Sequence, residues 1–131
     1  MKNIITCILD NTTMEFDYSS LGRIEQLVYI SLCELDRDTS SFNRTRFGVS
    51  SDTVKNELDS LCEDEIVVED VRLTYGGDKR FYYRIEESID THSYDTLSEE
   101  EVNIITSICK KFDDYPVSNL QNTAAEHNWS F

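Results

Sequence analysis

The sequence predicts a mixed α+β domain, and three observations carry that prediction. Apolar residues recur at helical spacing in five separate segments. Between the third and fourth segments, two runs alternate with the β period around a Gly-Gly turn. Only four Gly and one Pro interrupt the chain, so few flexible breaks separate these elements. A length of 131 residues suits one domain able to bury a core. The central order of helix, short link, helix and hairpin is that of a winged helix. The expected organisation is a winged-helix-like core over residues 1–87, with a helical extension over 88–131 packed on it.

The first helix follows from Ile4, Ile5, Ile8 and Leu9, which share one face. That apolar run is short and Asp10 interrupts it, which fits a helix better than a secretory signal. The second helix, 21–35, carries the broadest stripe: Ile24, Leu27, Val28, Leu32 and Leu35, widened by Tyr29, Ile30 and Cys33. It should be the central element. Ser19, Ser20 and Gly22 mark its start, and the polar run 36–41 its end. Residues 42–51 read as a short extended segment ending in a turn at Gly48, with Ser50 or Ser51 capping the next helix. In that helix Val54, Leu58, Leu61 and Cys62 face inward. Its outer face holds Asp52, Glu57, Asp59, Glu63 and Asp64, opposed by Lys55 alone.

The hairpin pairs Val67, Val71, Leu73 and Tyr75, of one parity, with Phe81, Tyr83 and Ile85 across a turn at Gly76-Gly77-Asp78-Lys79. Arg80 and Arg84 point outward near Arg72 and form the wing's cluster of positive charge. After a polar link over 86–96, Ser98 and Glu101 form a capping box. Val102, Ile105, Ile108, Cys109 and Phe112 make the buried stripe of the fourth helix. Lys110 and Lys111 suit its C-terminus. Pro116 opens a last short helix holding Val117, Leu120 and Ala124.

Chemistry is sparse. Cys7, Cys33, Cys62 and Cys109 fall one to each of the first four helices, with no Cys-x-x-Cys spacing, as expected of small core residues in a reducing compartment. His92 and His127 sit in polar surroundings and lack ligand spacing. Glu99, Glu100 and Glu101 are successive helical residues, so their carboxylates diverge. Gly76-Gly77 leads into no helix, so it is not a phosphate loop. The expectation is a protein with no catalytic site, no metal and no cofactor, and no apolar run long enough to span a bilayer.

Charge is the main functional signal. Twenty-six Asp and Glu stand against twelve Lys and Arg, a net charge of −14. Winged helices that read DNA need a positive face to displace counterions from phosphate, and this chain has the opposite sign. A surface complementary to a basic partner, a host with high internal salt, and simple solubility all produce acidity of this kind. The acids Asp52, Glu57, Asp59, Glu63, Asp64, Glu99, Glu100, Asp113 and Asp114 are the candidate partner-binding face. Arg72, Arg80 and Arg84 are the candidate nucleic-acid contacts of the wing. In standard docking the acidic third helix would lie in the groove and repel phosphate, which favours a protein partner over nucleic acid.

Several segments resemble a known family. Arg23-Ile24-Glu25-Gln26-Leu27-Val28-Tyr29-Ile30 is similar to the Lys-Leu-Gln-Lys-Leu-Leu-Tyr helix of the Panacea (SocA-like) antitoxin domain. Arg46-Phe47-Gly48-Val49-Ser50-Ser51 resembles its aromatic-Gly-Pro turn. Leu97 through Glu101 and Asp114 through Leu120 look like its closing helix pair, and 123–129 like its Thr-His…Trp ending. Related uncharacterised bacterial and archaeal proteins share this plan. Val49 stands where the family usually has Pro, Ala124 where it has His, and Gln26 where it has Lys. The resemblance implies a non-catalytic protein that neutralises or holds a protein partner, such as a toxin or a nucleic-acid-binding effector, by direct contact, and the cysteines, read as free, suggest that it works in the cytoplasm. Such an antitoxin-like or anti-defence factor would present its acids as a mimic of DNA. A winged-helix transcription regulator is the alternative.

Overall fold

The computed structural model describes residues 1–11, 19–45, 48–86 and 97–126. The chain is mixed α+β: α1 (Lys2–Asn11), β1 (Ser19–Ser20), α2 (Leu21–Glu34), β2 (Asn43–Thr45), β3 (Gly48–Ser50), α3 (Asp52–Glu63), β4 (Val67–Leu73), β5 (Lys79–Ile85), α4 (Glu99–Lys111) and α5 (Val117–Glu126). His92, His127, Arg46, Phe47, most of the link 86–96 and the end of the chain lie outside the described residues.

The five helices form where the apolar spacing places them, and their ends have identifiable causes. Ser20 accepts from the Arg23 amide at the start of α2, and Ser51 from the Val54 amide at the start of α3. Ser98 and Glu101 complete the capping box of α4 in both directions. Glu101 also pairs with Arg37 from the loop after α2. The backbone amide of Ser98 and that guanidinium hold the Glu101 carboxyl below its ordinary range. Helices α2 and α3 end alike. Asp36 and Glu65 adopt positive φ, and the amides beyond them return to Leu32 and Leu61.

Helix α2 is the centre of the core. Ile24, Leu27, Val28, Tyr29, Ile30 and Leu32 are buried on it, and it packs against α1, α4, α5, β1, β3 and β5. Helix α1 buries more than the one face expected: Ile4 through Leu9 are all covered, Thr6 and Cys7 included. Ile105, Ile108, Leu120 and Ala124 belong to the same apolar cluster as α1 and α2. The last two helices therefore complete the core rather than only covering it.

Two antiparallel sheets accompany the helices. One has the order β1-β5-β4, with Ser19 opposite Tyr83 and Val67 opposite Ile85. The other is the pair β2-β3. Sequence spacing predicts residues 42–51 as one extended segment that turns at Gly48. The structure instead folds it back on itself, with Gly48 opening the returning strand. Gly48 has φ +96, and a Cβ there would lie 2.5 Å from Gln26 Oε1 and 3.0 Å from Gln121. Both the backbone angle and the close approach of α2 and α5 require glycine.

Candidate functional site

The acidic residues are distributed over two helices, α3 and α4, each of which packs against α1. On α3, Asp52 and Glu63 are exposed and Asp64 caps the C-terminus in solvent. None of the three forms an ion pair among the described residues. Glu57 is half-buried, and Asp59 is tied to Lys55 at 2.5 Å. Lys55 also reaches Glu69 at 3.4 Å and lies 4.6 Å from the Phe81 ring centroid, so it docks α3 on the sheet. The exposed charge of α3 is thus concentrated in Asp52, Glu63 and Asp64.

Glu99 and Glu100 are exposed in the first turn of α4, and Asp113 and Asp114 follow its last. The helical rise puts these two pairs about 20 Å apart, so they form two patches. Glu99 and Glu100 favour the helix N-terminus by the macrodipole. Asp113 and Asp114 sit where that dipole opposes them. The compensation comes from Arg23, which is buried on α2. Its guanidinium donates to the carbonyls of Phe112 at 2.6 Å, Tyr115 at 2.8 Å and Asp113 at 3.2 Å. Arg23 therefore caps the C-terminus of α4. Burial lowers its pKa and the Asp113 carboxylate opposes that shift.

The wing carries the positive counterpart. Arg72 and Arg80 are register partners, and Arg84 stands opposite Val68. Arg72 bonds Asp70 at 2.7 Å and lies 4.4 Å over the Tyr82 ring. Arg72, Arg80 and Tyr82 line a groove of about 530 Å³ with Lys79, Glu25 and the first residues of α2 and α5. Arg84 lies outside that groove, half-buried, and donates to the Ile85 carbonyl. The structure thus brings two of the three wing arginines to the groove and adds Lys79, which the Gly-Gly run places in the turn but which opens β5 instead.

Glu25 is the perturbed acid of this groove. Its carboxylate accepts from the Ser51 amide at 2.8 Å. Burial raises its pKa from 4.5 to about 7, while the Ser51 amide acts the other way and Asp52 adds to the rise. A carboxyl with a raised folded-state pKa holds its proton in the fold while the unfolded chain releases it. Its contribution therefore falls as pH rises from about 4.5 to about 7. Glu25→Gln keeps an oxygen for the Ser51 amide and removes the charge. It is expected to stabilise the protein by about 1–3 kcal/mol at pH 8 and by much less at pH 4. Urea melts at the two pH values check this; equal effects at both would contradict it.

The other titratable groups suit a core. All four cysteines are free. Burial raises Cys7 to about 11 and Cys109 to about 12, so both remain thiols at neutral pH. Among the described residues no group of three or more His, Cys, Asp or Glu could hold a metal ion, and no helix is long and apolar enough to cross a membrane. Compared with family models, curated proteins and solved structures, the chain finds no match.

Proposed function

We propose that this chain is a non-catalytic, cytoplasmic acidic protein that binds and inhibits a basic protein partner, as an antitoxin-like or anti-defence factor. The observation that carries this reading is the exposed, unneutralised charge of Asp52, Glu63 and Asp64 on α3. A winged-helix reading of the fold gives that position its meaning. Helix α1, strand β1, helices α2 and α3 and the hairpin β4-β5 follow one another in winged-helix order, with β1 pairing to β5 and the small β2-β3 hairpin inserted before α3. In such a domain α3 is the element that meets DNA. Here it offers carboxylates spaced along an exposed face, which suits a partner whose own surface is built for phosphate.

The resemblance to the Panacea (SocA-like) domain supports the same reading, and two departures from its pattern compensate each other. Gln26 Oε1 accepts from the Val49 amide at 2.9 Å, and Gln26 Nε2 donates to the Val49 carbonyl at 2.9 Å. Proline at 49 would lack that donor, and lysine at 26 would lack that acceptor. A Gln with a Val is thus a consistent alternative to the family's Lys with Pro.

The regulator reading draws on the groove lined by Arg72, Lys79 and Arg80. The two readings predict opposite responses to charge. Reversal of Asp52, Glu63 and Asp64 to Lys should slow association with a basic partner and remove much of its salt dependence. The same reversal should improve DNA binding by a regulator, and Arg72→Ala with Arg80→Ala should abolish it. A gel-shift titration of wild type and both variants on duplex from upstream of the gene separates them. Tight, sequence-specific binding by the wild type at physiological salt would overturn the inhibitor reading.

A further inference from the structure

We infer that the outer edge of β4 is a self-complementary interface, at which two copies of this chain pair antiparallel about Val71. Strand β4 is the last of its sheet, and among the described residues no strand pairs with its other edge. The hairpin determines which backbone groups face that edge. Thr74 N–H donates to the Asp78 carbonyl beyond one end of the ladder, and Glu86 N–H to the Ile66 carbonyl beyond the other. Both pairs continue the register that sets Leu73 opposite Lys79 and Val67 opposite Ile85. Antiparallel ladders alternate hydrogen-bonded and non-hydrogen-bonded pairs. The even-numbered residues of β4 therefore turn their amides and carbonyls toward β5. Val67, Glu69, Val71 and Leu73 turn theirs outward, toward the open edge.

The side chains agree. Val71, Leu73 and Tyr75 have the parity of the buried Val67, but the hairpin outruns the helices. Val71 is 44% exposed, Leu73 is 70% exposed and Tyr75 is fully open. An open strand edge with exposed apolar residues is a template for another strand, and the charges on it, Glu69, Asp70 and Arg72, bear on the register. A twofold axis through Glu69 or Asp70 would set like charges against each other. An axis through Val71 sets valine against valine and places Asp70 of each copy opposite Arg72 of the other. Arg72 already bonds Asp70 within its own strand, and the pairing converts that exposed contact into a cross-strand one. Glu69, Val71 and Leu73 then exchange both backbone groups with the copy. In this register Tyr75 of the copy falls opposite Val67. A groove of about 530 Å³ lies there, with Cys62, Val67 and Val68 as its apolar lining and Asp64, Glu65, Glu69 and Glu86 at its rim as acceptors for the tyrosine hydroxyl.

Sedimentation velocity of the full chain across the micromolar-to-millimolar range tests this. The expected result is a monomer–dimer equilibrium that tightens with added salt, because each copy carries −14. A basic partner would show the reverse dependence on salt. Val71→Pro removes an amide that faces outward and leaves the β4-β5 ladder its bonds, so it should yield monomer at every concentration. Asp70→Arg alone and Arg72→Asp alone should each raise the dimer dissociation constant about tenfold, and the two together should restore it. The exchanged pair keeps the test sharp even if proline disturbs the hairpin. Monomer throughout, or a dimer indifferent to both the proline and the charge exchange, would overturn the inference.

Discussion

Leu27→Ala is expected to lower stability by about 2–5 kcal/mol, the range for removing a fully buried leucine from a packed core. Leu27 is fully buried on the helix that touches most other elements of the fold. Neighbours on several elements would have to move together to fill the space, so collapse around it is limited. Val28, equally buried, should lose less because its truncation removes less apolar side chain than that of leucine. Urea unfolding of the purified protein measures both. A loss for Leu27→Ala within a few tenths of a kcal/mol would mean that α2 is not the centre of the core.

Arg23→Met is expected to cost about 2–4 kcal/mol, although methionine fills a similar volume. The loss arises from the carbonyls of Phe112, Asp113 and Tyr115, which would lose the guanidinium, Phe112 keeping only the bond from the Tyr115 amide. It should also loosen the junction of α4 and α5 in particular, where Phe112 and Tyr115 pack edge to face. Hydrogen exchange should then rise at 108–120 more than in α1. Uniform loss of protection over the whole chain would contradict a local capping role.

These two residues mark the limits of sequence reading. The stripe containing Leu27 is legible because its apolar residues recur at the helical spacing, although burial on α2 also takes in Arg23, Gln26 and Ser31. Arg23 and Gln26 lie on the same helix and are equally buried, yet their chemistry reads as a solvated face. Only long-range partners make their burial tolerable: the end of α4 for Arg23 and the β3 backbone for Gln26. Strands β1 and β3 have two and three residues, too few to show a period. For β4 the alternation correctly gives the side-chain parity. Where the core stops beneath Val71, Leu73 and Tyr75 depends on helix placement instead.

The candidate surfaces follow the same logic. The count of acids is plain in the sequence. Which of them remain available depends on the pairing of Lys55 with Asp59 and Glu69. For the same reason charge reversal belongs at Asp52, Glu63 and Asp64 rather than at Asp59, whose loss would also release Lys55. Lys79 joins Arg72 and Arg80 only because the groove brings the wing beside the starts of α2 and α5.

The most direct measurement is an affinity capture from host lysate at low salt after nuclease treatment, with wild type and the Asp52, Glu63, Asp64 reversal variant as paired baits. Wild type should retain a basic protein in stoichiometric amount, raised salt should elute it, and the reversal variant should lose it. Equal retention by both baits, or capture of nothing but protected nucleic acid, would contradict the inhibitor reading.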